Sequence, residues 1–171
     1  GKEKLIKELG LDNTEAEKLF QRYHAKVPFI RALQDQCARV AIERGYIKTF
    51  AGRRCRFDRW ESRYERTPPL PKEEAKEKYG NDLKRSYTYK ALNRLIQGSA
   101  ADMTKLAMIG LWEEGIVPHL QVHDEVDISI ENTEQANTVT RIMENCVQLA
   151  VPLLVDIELG KSWGETKEII K

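Results

Sequence analysis

Apolar residues recur at helical spacing through the first part of the chain, and alternation takes over only in short runs. Residues 3–9 read as a short helix stopped by Gly10. Thr14 with Glu17 has the form of a capping box, and Leu19, Phe20, Tyr23 and Val27 continue the periodicity as far as Pro28. Phe29, Ile30, Leu33, Cys37, Val40 and Ala41 then share one stripe over about 29–44, with Gly45 placed to end it. Residues 46–50 alternate like a short strand, and Ala51-Gly52 supplies the turn after it.

Residues 58–82 are polar and carry Pro68, Pro69 and Pro71. They read as a long excursion with one short helix around 72–79 and no contribution to a core. A long helix is expected from about 84 to 114, through Leu92, Leu95, Ile96, Met103, Leu106 and Ile109, closing at Gly115. Val117 to Ile130 is strand-like but interrupted by the polar group 123–125, which predicts a hairpin carrying those side chains at its tip. Thr133 opens a helix to about Ala150, and Val151–Leu159 reads as a further strand burying Leu153, Leu154, Val155 and Ile157. The expected class is α+β, a helical first half followed by a small antiparallel sheet backed by helices.

Composition alters this picture little. The 171 residues suit one ordinary domain, with 41% hydrophobic and 32% charged residues. No apolar run approaches the roughly 18–20 residues of a membrane helix. Cys37, Cys55 and Cys146 are widely spaced and odd in number, which points to reduced thiols in a cytoplasmic setting rather than a zinc or disulfide framework. Charge says more. From Arg39 to Arg66 there are nine Lys/Arg and four acids, whereas Glu113–Glu134 holds seven acids and no Lys or Arg. A basic segment followed by an acidic one suits a polyanion held near a cation; two solvated faces of opposite sign would look the same.

Three groups of residues could carry chemistry. In Gln121-Val122-His123-Asp124-Glu125-Val126, two adjacent carboxylates stand beside an imidazole between β-branched residues. A hard divalent ion such as Mg²⁺ would keep both ionised and take carboxylate and phosphate oxygens together; a bare hairpin tip is the alternative. Asn93 and Gln97 lie four apart on the long helix, followed by Gly98, Ser99, Ala100, Ala101 and Thr104. Amides beside a low-relief surface suit the acceptors of a nucleic-acid minor groove, or else a tightly packed helix with exposed amides. Arg53 and Arg54 follow the Gly52 turn, where guanidinium forks suit phosphate and a solvated turn suits equally well.

Taken in order, these blocks resemble the family A DNA polymerases, the group of bacterial DNA polymerase I and many phage replicases. The resemblance runs from Gly45-Tyr46-Ile47 and Gly52-Arg53-Arg54 through Leu92–Asp102 and Gln121–Glu125 to Val151–Val155 and Gly160-Lys161-Ser162-Trp163. It implies a C-terminal polymerase portion, with fingers-like helices over 1–57, the excursion over 58–84, and a palm portion over 85–171. Asp124 would bind the catalytic metals, two Mg²⁺ ions in the complete enzyme. Glu125 would sit beside it and His123 would face the primer strand. Asn93 and Gln97 would touch the template–primer minor groove, with Gln121 near the same duplex.

The resemblance also implies partners: primer–template DNA, deoxynucleoside triphosphates and an N-terminal polymerase portion, with no membrane. The family's other metal-binding aspartate, in a stretch with a following Glu and Arg, has no match here, nor has the fingers helix with its Lys and Tyr. Activity of this chain alone is therefore not expected. The competing readings are a stand-alone DNA-binding module or catalytically dead remnant, and an unrelated metal hydrolase built on His119, His123 and Asp124.

Overall fold

The computed structural model describes residues 2–165 and 168–170; the outer limits 1 and 171 of the expected fragment lie outside them. The chain divides into two compact units, one of 1–48 with 53–95 and one of 49–52 with 96–171. Helices and antiparallel strand pairs are mixed throughout, so the α+β class holds. The expected small sheet is instead four separate two-stranded pairs among the described residues.

In the first unit, α1 (Lys2–Leu9), α2 (Asn13–Lys26) and α3 (Pro28–Arg44) follow one another closely. The cap of α2 is Asp12 rather than Thr14. Its carboxylate accepts from the Thr14 and Glu15 amides at 2.7 and 2.8 Å, and Glu15 Oε2 accepts from the Asp12 amide at 3.2 Å. Asp12, one residue before the helix, satisfies the orphan donors of the first turn, so the box forms two residues earlier than the Thr14–Glu17 pair. Pro28 occupies the first turn of α3, where its missing N–H costs nothing. Gly45 ends α3 in the left-handed region at φ 75°.

Strand β1 (Tyr46–Lys48) turns through Gly52 and pairs with β2 (Arg54–Arg56), Ile47 opposite Cys55. The core of this unit is Cys37 and Ala41 from α3, Ile47, Phe57 and Ala91, with Cys55, Leu92 and Leu95 packed on it. Burial pushes the Cys37 thiol above its ordinary range, as expected for a small apolar side chain inside a core.

The segment expected as an excursion is folded. Strand β3 (Trp60–Ser62) pairs with β4 (Leu83–Arg85), and α4 (Lys72–Tyr79) lies between them in sequence with Ala75 fully buried. Trp60 also exchanges both backbone hydrogen bonds with Leu70, at 2.7 and 2.9 Å. Three-residue strands rich in Arg, Lys and Glu carry no alternation that a hydrophobicity pattern can reveal.

The long helix α5 (Ala91–Glu113) begins later than residue 84, for two reasons. Arg85 is engaged in the ladder with Trp60, and Tyr87 sits at φ 63°, outside helical space. A single 3-10 turn, Thr88–Lys90, leads into the helix.

In the second unit, Ala107, Leu111, Ile116 and Ala136 are buried. Strands β5 (Leu120–Val122) and β6 (Glu125–Asp127) form a hairpin, followed by α6 (Thr133–Glu144), capped by Asn132. Helix α6 stops well short of Ala150. The Asn145 amide donates to the Arg141 carbonyl at 2.7 Å, so a side chain takes the acceptor a further turn of helix would use. The expected strand over 151–159 shrinks to β7 (Ile157–Leu159), paired with β8 (Glu168–Ile170). Pro152 has no donor and the Val155 amide goes to the Glu144 carboxylate at 3.1 Å, so no ladder starts before residue 157. Leu154, expected inside, is 79% exposed.

Gly45 and Gly115 share φ 75°, but only Gly45 has a neighbour where a Cβ would sit, the Arg85 guanidinium at 2.8 Å. Gly115→Ala should cost about 1–2 kcal/mol for the left-handed backbone alone. Gly45→Ala should cost at least about 1 kcal/mol more, because Arg85 must give up its hydrogen bonds to make room. Urea denaturation of the two variants measures the difference; equal losses would show that Arg85 yields freely.

Candidate functional site

The acidic turn is built by a tight hairpin. Val122 pairs with Glu125, leaving a two-residue tip of His123 and Asp124. His123 adopts φ 55° while Asp124 does not share the positive φ, the pattern of a turn whose twist matches the flanking strands. Glu125 was expected at the tip but belongs to β6. The Gln121 side-chain amide donates to the His123 carbonyl and closes the turn.

Strand alternation then sorts the side chains. Leu120, Val122, Glu125 and Asp127 fall on one face, and Gln121 with Val126 on the other. Gln121, His123, Asp124 and Glu125 are all exposed. At the open end, the His119 amide donates to the Asp127 carbonyl at 2.8 Å and its Nε2 meets Ser129 Oγ at 3.0 Å. His119 thus serves the base of the hairpin, away from the tip.

Asp124, Glu125 and Asp127 are hard oxygen donors of the kind Mg²⁺ prefers. Among the described residues no three His, Cys, Asp or Glu side chains converge on a point that could hold a metal. The donor chemistry fits, and the donor number does not reach a complete cage. The same finding removes the basis for a hydrolase centred on His119, His123 and Asp124, since those residues do not gather.

Asn93 and Gln97 both lie on α5 and both are exposed. Ala100 continues their stripe at the next turn and is exposed too, as is its neighbour Ala101; Thr104, further along, donates its hydroxyl to the Ala100 carbonyl at 3.3 Å. The low-relief surface expected from the sequence is therefore open to solvent rather than packed away. Ser99 has a different duty: its Oγ accepts from the Phe50 amide at 3.3 Å.

Arg54 lies on β2 with its guanidinium 4.7 Å from the Tyr46 ring centroid, and it pairs across the strands with Lys48. Arg53 precedes it on the same exposed ribbon. The structure thus groups the expected residues into the hairpin set Gln121, His123, Asp124 and Glu125, the helix pair Asn93 and Gln97, and the ribbon pair Arg53 and Arg54. Arg94 was missed in sequence although it stands inside the motif. Its guanidinium lies 4.5 Å from the Phe57 ring centroid and donates to the Arg56 carbonyl at 2.8 Å.

The family model for DNA polymerase family A matches residues 1–165. The DNA-directed DNA polymerase of Pseudomonas phage M6 is 40% identical over 152 residues, which cover 89% of this chain and 20% of that protein. The thermostable DNA polymerase I of Thermus aquaticus is 34% identical over 173 residues, 96% of this chain and 19% of that one. Among solved structures, the POL domain of Pol1 from M. smegmatis in complex with DNA primer–template and dNTP matches with TM-score 0.63 and 27% identity. That match covers 87% of this chain and 25% of its counterpart. The chain spans about a fifth of the length of the curated relatives it matches.

The turn makes a local prediction. His123→Val places a β-branched side chain at positive φ and should cost about 1–2 kcal/mol in hairpin stability, whereas His123→Asn should be close to neutral. Loss of cross-strand NMR contacts between Leu120 and Asp127 in the valine variant alone is the expected result.

Proposed function

Because the chain belongs to DNA polymerase family A, we propose that it is the C-terminal portion of a DNA-directed DNA polymerase and grips the minor groove of primer–template DNA. The observation that carries this reading is the exposed stripe of Asn93, Gln97 and Ala100 on α5. Purine N3 and pyrimidine O2 present acceptors in every base pair. An amide donor at fixed height can therefore accept any correctly shaped pair, while the alanines let the groove approach. Gln121 serves the same duplex from the hairpin, and Arg53 and Arg54 hold backbone phosphates.

In this reading residues 1–57 are fingers helices and 85–171 are palm. Asp124, with Glu125 beside it, holds Mg²⁺, and His123 faces the primer strand. When bound, such ions lower the pKa of an attacking hydroxyl and neutralise a departing phosphate. The remaining ligands, and the grip on the incoming deoxynucleoside triphosphate, would come from an N-terminal polymerase portion; the small number of oxygen donors at the hairpin supports this reading. No helix among the described residues is long and apolar enough to cross a membrane, and the proposed place of action is the cytoplasm of a bacterial or phage-infected cell.

Binding of the full chain to a labelled primer–template duplex without Mg²⁺ tests the grip. Asn93→Ala and Gln97→Ala should each weaken it about 3- to 10-fold, the scale of one hydrogen bond, with the salt dependence unchanged because neither amide is charged. Primer extension after adding an N-terminal polymerase portion, lost on Asp124→Asn, would separate a polymerase from a DNA-binding module that has given up catalysis. Absence of duplex binding at low salt would remove both readings.

A further inference from the structure

The second half of α5 is apolar around more of its circumference than the chain covers. From Met103 to Trp112 only Thr104 and Lys105 are polar, and a helix apolar on all sides belongs inside a protein. One side is accounted for. A Cβ at Gly110 would lie 2.9 Å from Ile142 Cγ2, and Cys146 Sγ donates to the Met103 carbonyl at 3.6 Å. Helix α6 and the residues just after it therefore lie against the Met103–Ala107–Gly110 stripe.

Two positions on from each of those residues, about 200° round the helix, stand Lys105, Ile109 and Trp112. Ile109 is 53% and Trp112 66% exposed, and Lys105 is exposed as well. Single apolar side chains on a surface need no explanation. A tryptophan and an isoleucine on adjacent turns, with a cation one turn away, have the composition of an interface anchor.

Two observations say what covers this face. The curated relatives are about five times as long as this chain, so a large polypeptide accompanies these helices there. Among the described residues the hairpin tip also lacks a complete set of metal donors. A second copy of the chain would duplicate that incomplete tip, whereas an upstream part could complete it.

We infer that the Lys105–Ile109–Trp112 face of α5 seats the N-terminal polymerase portion, through an apolar surface that takes the Trp112 ring and carries a carboxylate within reach of Lys105. The inference rests on the C-terminal-portion reading above and adds the surface at which the two parts meet. Burial of the indole supplies the affinity, and the lysine fixes the register, because an unpaired ammonium at the edge of an apolar contact disfavours other alignments.

The test adds the part of the phage M6 polymerase upstream of its matched segment to the full chain, without DNA. The wild type should bind it in sedimentation and titration, and its tryptophan emission should move to shorter wavelength as Trp112 leaves water. Trp112→Ser should weaken binding about 30-fold or more, the scale of an interface anchor. Lys105→Glu should weaken it too, by more at low salt than at high salt. Leu154→Ser, at a side chain 79% exposed but off this face, should leave binding unchanged. Both serine variants should keep the wild-type Tm, since both side chains they replace stand largely in water.

Absence of association, or equal affinity in the wild type and Trp112→Ser, would overturn the seat. Equal losses in Trp112→Ser and Leu154→Ser would show unspecific apolar adhesion and overturn it as well. A homodimer that Trp112→Ser abolishes and the N-terminal portion does not displace would give the face to a second copy. Duplex binding by the chain alone, reduced in Asn93→Ala, is read separately, so the seat can fail while the minor-groove reading stands.

Discussion

The Arg85 guanidinium fills the space that a side chain at position 45 would need, and much of the first unit is organised around it. It donates Nε to the Ile42 carbonyl at 3.2 Å and Nη1 to the Phe57 carbonyl at 3.0 Å, and it lies 4.4 Å from the Trp60 ring centroid. The last turn of α3 has carbonyls without helical partners, and Arg85 answers one of them with a charged donor. One side chain thereby ties a helix end, the strand leaving the core and the β3–β4 pair. Gly45 is what admits it.

A second guanidinium repeats the device one step along the chain. Arg94 does for Phe57 and Arg56 what Arg85 does for Trp60 and Ile42, ring face below and carbonyl in front. Both arginines are planar donors held by stacking and by a main-chain acceptor, a geometry lysine cannot reproduce. The start of α5 is fixed in this way, and with it the direction in which Asn93 projects. Asn93 therefore takes its orientation from contacts made by Arg94 on another face of the helix.

The parts of this arrangement that were legible in sequence share a cause. Helix α3 could be read because its apolar stripe is regular and a glycine stops it, and α4 because prolines precede it and Gly80 follows. The hairpin could be read because β-branched Val122 and Val126 flank the polar group 123–125. What escaped were features whose reasons lie far off in the chain. Strands β3 and β4 are short and charged, so only their pairing reveals them. The late start of α5 depends on Trp60 claiming Arg85 in a ladder, a contact spanning the whole excursion. The strand expected at 151–159 failed because Pro152 and the Glu144 carboxylate removed its donors. Within the candidate site, the residue types and their spacing were readable. The left-handed turn at His123 and the separation of Gln121 from Glu125 across the two faces of the hairpin were not, since both follow from register.

In the proposed complex, exposed amides on α5 donate to acceptors that every base pair presents in the minor groove. Replacing single adenines near the primer terminus with 3-deazaadenine deletes one such acceptor and leaves the base pair intact. Titration of the full chain against a series of these duplexes should reveal one or two positions where affinity drops about 3- to 10-fold, with no drop at them in Gln97→Ala. Uniform affinity across the series would contradict the minor-groove assignment.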